Sequence, residues 1–128
     1  MPAISARTKL WLEARPRGAC RGGEHVLGLG LSALLAGVEA SGSLTKAAAA
    51  AGMSYRHAWH LVRQAEENLG QPMLVARSGG RRGGGSVLSP AGRRLLAVFE
   101  TLSADVAAFA DRRLEELVRE TTSDVTRR

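Results

Sequence analysis

Residues 43–69 read SLTKAAAAAGMSYRHAWHLVRQAEENL, and this stretch spells two consecutive serine-capped helices separated by a glycine. Ser43 is a good N-cap for a short helix from Leu44 to Ala51, whose alanine run has the highest helix propensity available. Gly52 stops it. Ser54 then caps a helix from Tyr55 to about Leu69, with Gly70 and Pro72 as stop signals. On that second helix Ala58, Leu61, Val62, Ala65 and Leu69 share one stripe, which leaves Arg56, His60 and Arg63 on the opposite side. One face packs and the other is polar and basic. Two helices joined by so short a turn must approach closely, and Ala48 and Ala58 are small enough to permit it.

Upstream, Lys9 to Arg15 forms a short strand candidate before the breaker Pro16-Arg17-Gly18. The apolar stretch from Val26 to Ala40 follows, with Leu27, Leu31, Leu34, Leu35 and Val38 at helical spacing; Gly28, Gly30 and Gly37 weaken this helix locally, and Gly42 ends it. Downstream, Met73 to Ala76 and Ser86 to Leu88 are short strands around GGRRGGG at residues 79–85, the pattern of a β-hairpin wing tipped by Arg81 and Arg82. Ser89-Pro90 opens a last helix, serine as cap and proline at its first position. Its stripe of Leu95, Leu96, Phe99, Leu102, Val106 and Phe109 continues through Leu114, Leu117 and Val118. About 28 residues of helix span roughly 40 Å, more than a small domain covers, so a second copy of the chain is the expected cover. Residues 121–128 are polar and read as a frayed tail.

The expected fold is therefore mainly α: a winged helix-turn-helix with a small β-hairpin wing and a long C-terminal dimerisation helix. The organisation divides into an N-terminal strand and loop (1–24), the winged helix-turn-helix (25–92), the dimerisation helix (93–120) and the tail (121–128).

Charge points to the partner. The net charge is +6 and the sequence pI near 11.0. Residues 40–98 hold eight Lys/Arg against two Asp/Glu, whereas residues 99–128 hold five against seven. A basic centre of this kind favours a polyanion, because neutralising phosphates releases condensed counterions. Double-stranded DNA is the expected partner, and a helix docked as described leaves its N-terminal end free to enter a major groove. The DNA-contact candidates are Lys46, Ser54, Tyr55, Arg56, His57, His60 and Arg63, with Arg81 and Arg82 on the wing. Trp59 stands between packing against the wing and facing DNA.

Other chemistries find little support. Cys20 is the single cysteine, so no internal disulfide forms, which suits a reducing cytosol. No run of about 18 apolar residues and no secretion signal is present, so a cytoplasmic location without membrane contact is expected. His25, His57 and His60 lack a thiol or acidic ligand at zinc spacing, and no metal or cofactor is expected. The wing lacks the Gly-Lys-Ser/Thr ending of a nucleotide loop, and no nucleophile-base arrangement suggests an enzyme.

Residues 41–99 resemble the DNA-binding domain of the molybdate-responsive ModE repressors, which share the helix-turn-helix layout of LysR-type regulators. The matching pieces are Ser41-Gly42-Ser43, Ala47-Ala48, Gly52-Met53-Ser54-Tyr55-Arg56 with Ala58-Trp59, Pro72, the glycine-rich wing, and Leu88-Ser89-Pro90-Ala91-Gly92-Arg93. The resemblance implies a transcription regulator acting on specific DNA. It also implies C-terminal molybdate-binding domains, for which the sequence after the last helix leaves no room, so molybdate sensing is not expected to carry over. The alternative is a protein-interaction or dimerisation module on the same scaffold.

Overall fold

Local sequence signals set most element boundaries in the computed structural model, which describes residues 3–15, 23–79 and 84–126, with side chains to Ser123. The elements are β1 (Leu12–Ala14), β2 (Glu24–Leu27), α1 (Leu29–Ser41), α2 (Leu44–Ala50), α3 (Tyr55–Leu69), β3 (Leu74–Arg77), β4 (Gly85–Leu88) and α4 (Pro90–Thr126). Each of the two central helices starts where a serine hydroxyl accepts an otherwise unpaired backbone N–H: Ser43 Oγ from Lys46 N at 3.2 Å and Ser54 Oγ from His57 N at 3.1 Å. Gly42 and Gly70 close α1 and α3 in the left-handed conformation, with φ of 70° and 79°. Between α2 and α3, Gly52 N–H donates to Ala49 O and Met53 N–H to Ala48 O, which closes the turn.

Two compact units divide the chain: Leu10–Phe99, and the residues up to Lys9 together with Glu100–Arg128. In the first, one core gathers Leu34, Leu35 and Val38 of α1, Ala47 and Ala48 of α2, Ala58, Val62 and Ala65 of α3, and Met73, Leu88, Leu96 and Phe99 around them. The close approach lies between α1 and α2: a Cβ on Gly37 would stand 2.8 Å from the Ala47 Cβ. Gly37, read from the sequence as a local weakness, is thus the point of contact that lets α2 seat.

The sequence reading needs correction in three places. The helix expected from Val26 starts at Leu29, because Glu24–Leu27 pairs as strand β2 against β1, with Leu12 opposite Leu27 and Glu13 opposite His25. Val26 and Leu27 are buried all the same, so their apolar character was right and their helical period was not. Phe99, assigned to the partner-facing stripe, is 3% exposed in the core, with Leu95 packed partly against that core. Finally, α4 continues through Thr121 and Thr122, whose hydroxyls donate to Leu117 O and Val118 O, where a frayed tail was expected.

The wing strands β3 and β4 pair antiparallel from Leu74↔Leu88 to Arg77↔Gly85. The first unit is therefore a winged helix-turn-helix, and α4 begins at the end of its wing.

Candidate nucleic-acid interface

The exposed side of α3 is built by what lies beneath it. Ala58, Val62 and Ala65 are at most 4% exposed, which turns Tyr55, Arg56, His57, Trp59, His60 and Arg63 outward together. These are the five sequence-predicted contact residues of α3 itself together with Trp59, and the structure gathers them on one helix. Ser54 is exposed at its start and its Oγ accepts the His57 amide. Its hydroxyl hydrogen is still free to donate outward. Lys46 is exposed on the first turn of α2. Arg81 and Arg82 lie outside the described residues.

Trp59 is where sequence reasoning stayed open. Its indole is 47% exposed, and the Arg63 guanidinium lies over the ring with Cζ 5.3 Å from the centroid. Arg63 also approaches Glu66 Oε1 at 3.8 Å, a pair exposed on the arginine side and covered on the glutamate side. The second Glu66 oxygen accepts Met73 N–H at 2.8 Å and Leu74 N–H at 3.4 Å, the amides that lead into β3. Glu66 thus ties the outward face of α3 to the first residues of the wing. Nothing in the sequence marked it, since its partners are backbone amides seven and eight residues away.

The wing is fixed at two more points. Ser86 N–H donates to Gly42 O at 2.9 Å, attaching β4 to the turn between α1 and α2. Ser89 caps α4 through Gly92 N–H at 3.0 Å, while its hydroxyl donates to Pro72 O at 2.6 Å and its amide to Met73 O at 2.8 Å. Among the described residues, no three His, Cys, Asp or Glu side chains cluster as metal ligands, and no helix is long and apolar enough to cross a membrane.

An exposed helix with arginines and histidines on its outward face beside a strand pair, both anchored to one core, has the geometry with which proteins enter a DNA groove and touch its flanks. Comparison with known proteins finds a likeness for that arrangement: residues 31–93 match the model of the bacterial regulatory helix-turn-helix proteins of the lysR family. Over those residues the chain is similar to a LysR-type helix-turn-helix domain. Among curated relatives, the molybdenum-pterin-binding protein MopB of Rhodobacter capsulatus is 41% identical over 90 residues, covering 70% of this chain and 31% of that protein. The molybdenum transport protein ModE of Azotobacter vinelandii is 34% identical over 92 residues, 72% of this chain and 34% of its own. The DNA-binding transcriptional dual regulator ModE of Escherichia coli K12 is 38% identical over 71 residues, 55% of this chain and 27% of its own. This chain spans about a third of the length of the relatives it matches. The LysR-type match begins within α1 and ends at Arg93, so it contains α2, α3 and both wing strands.

Proposed function

We propose that the chain is a sequence-specific DNA-binding transcription regulator, active as a homodimer in the cytoplasm, with no catalytic role. The observation that carries this reading is the outward face of α3, where Tyr55, Arg56, His57, Trp59, His60 and Arg63 are presented together over a packed alanine and valine floor. Arg56 is the base-reading candidate, because a guanidinium binds guanine O6 and N7 bidentately. Ser54, Tyr55 and Lys46 take backbone phosphates, and Arg81 and Arg82 engage phosphate or the minor groove. The working division is 25–92 for DNA binding and 93–120 for dimerisation.

The dimer reading rests on α4, where Leu102, Phe109, Leu117 and Val118 are exposed. Spacings of seven and eight residues put Leu102, Phe109 and Leu117 on one broad apolar stripe of the helix, the kind of face that packs against another helix. Those same side chains support the second reading, a module that docks on another protein. The names of the curated relatives connect them with molybdenum; for the residues matched here the DNA-binding role is the one proposed, and oxyanions act on it as competitors for phosphate positions.

The test is a gel shift with fragmented genomic DNA across salt concentrations, followed by sequencing of the retained fragments. Enrichment of a shared, pseudo-palindromic motif with a steep salt dependence is the expected result. Retention of no DNA at low salt refutes the proposal and leaves the protein-docking reading.

A further inference from the structure

Arg77 is the last residue of β3 and faces Gly85 across the wing. Its guanidinium rests on a floor made by two glycines. A Cβ on Gly42 would lie 3.3 Å from both terminal nitrogens, and a Cβ on Gly85 would lie 3.0 Å from one of them. The Ser86–Gly42 backbone bond at 2.9 Å holds that floor together. The described ion pairs involve Arg63 and Arg113 only, so among the described residues neither Arg77 nor Arg93 has a carboxylate partner. Both line one cleft of about 270 Å³, bordered also by Val38, Glu39, Gly42 and Leu88.

Two exposed arginines that line one cleft, one of them resting on a glycine floor, suit a tetrahedral oxyanion, which a planar guanidinium binds through paired N–H donors. Glu39 opposes this. Its carboxylate lines the same cleft, yet it lies beyond ion-pair distance of either arginine, so two positive charges face one negative. The cleft also has a definite place. Gly42 leads into Ser43 and Lys46 of α2, and Arg77 leads into the wing loop. On the DNA-binding reading, both the start of α2 and the wing take backbone phosphates, and the cleft lies between them.

We infer that the cleft seats one tetrahedral oxyanion between Arg77 and Arg93, a backbone phosphate of bound DNA. The inference rests on the DNA-binding reading above and adds to it residues that neither the sequence motif nor the α3 face assigned. Glu39 trims the affinity of the seat.

The experiment measures the salt dependence of binding to a selected fragment for the wild type, Arg77→Ala, Arg93→Ala, Arg77→Lys and Glu39→Gln. If the wild type binds no DNA, the functional reading itself fails. If it binds, each alanine variant is expected to weaken binding about tenfold or more, and to flatten the logarithmic salt slope by about 0.9, the share of one phosphate. The double alanine variant adds little, because both arginines hold the same group. Arg77→Lys keeps the slope and loses affinity, and Glu39→Gln binds more tightly. A fragment with single methylphosphonate linkages identifies the phosphate: one position weakens the wild type and leaves the double variant unaffected. Unchanged slopes in both alanine variants, with unfolding midpoints equal to wild type, overturn the inference. A second arm titrates inorganic phosphate into DNA-free protein while following the Gly42 and Ser86 amides by NMR. Saturable binding lost in Arg77→Ala, together with an unchanged DNA salt slope, assigns the seat to free phosphate and overturns its assignment to DNA.

Discussion

Replacing Gly92 with alanine places two effects of opposite sign in direct competition. Gly92 lies in the first turn of α4, where alanine in place of glycine favours helix by about 1 kcal/mol. At this site, however, the added methyl would sit against the Met73 carbonyl oxygen, 3.1 Å from the carbonyl carbon and 3.2 Å from the Met73 Cα. None of these atoms can swing aside as a side chain does. Met73 N–H is held by Glu66 and Met73 O by the Ser89 amide, so the residue is pinned at both ends. Overpacking typically costs about 1–3 kcal/mol, and rigid backbone neighbours place this case at the upper end. The balance is a net loss of about 2 kcal/mol, a fall in melting temperature of about 8–16 °C for a unit of this size. Urea denaturation followed by circular dichroism measures it, with an unchanged slope showing that stability alone has moved. Gly70→Ala provides the contrast: no atom lies within 4 Å of its added Cβ, so its cost of about 1–2 kcal/mol comes from its positive φ alone. A Gly92→Ala protein that melts at or above the wild-type temperature would refute the claim that α4 is set on the wing by backbone contact.

Arg56→Ala should lose about 1–3 kcal/mol on the selected site while changing binding to random DNA far less, as competition assays with both will report; equal losses reassign Arg56 to phosphate. Arg81→Ala with Arg82→Ala should weaken binding to every sequence and reduce the salt slope by about 0.9 per lost contact, and an unchanged slope makes the wing tip a spectator. Phe109→Glu should shift the protein from dimer to monomer in sedimentation at micromolar concentration without altering the unfolding midpoint of Leu10–Phe99; a wild-type monomer under the same conditions removes the α4 dimer.

The central pair of helices was legible because its signals are local. Ser43, Ser54 and Gly70 act within three or four residues of where they stand, so α3 begins and ends where the sequence indicates. Val26 and Leu27 misled because an apolar run before a helix has no period of its own; only pairing with Leu12, fifteen residues earlier, makes it a strand. Phe99 was legible as apolar and illegible as to which neighbour it meets, since both the core and a second chain satisfy the same stripe. The glycines at 37 and 92 carry no side chain to read, and their value is fixed by Ala47 and Met73 approaching from elsewhere. Of the candidate site, the α3 face could be assembled from sequence, while the Glu66 link and the seat at Arg77 depend on contacts between separate elements.

On the DNA-binding reading proposed above, the Glu66 link bears on how a duplex is chosen. With one carboxylate bonded to the amides that start the wing and adjacent to the arginine on the outward face, the helix and the strand pair cannot adjust their separation independently. A reader of fixed gauge leaves the adjustment to the duplex. Base pairs between the two contact regions, reached by no side chain, then influence affinity through their stiffness and groove width, because the energy spent bending or twisting them to the protein's gauge varies with their sequence. Such a protein discriminates by elasticity at those positions as well as by hydrogen bonds at the others.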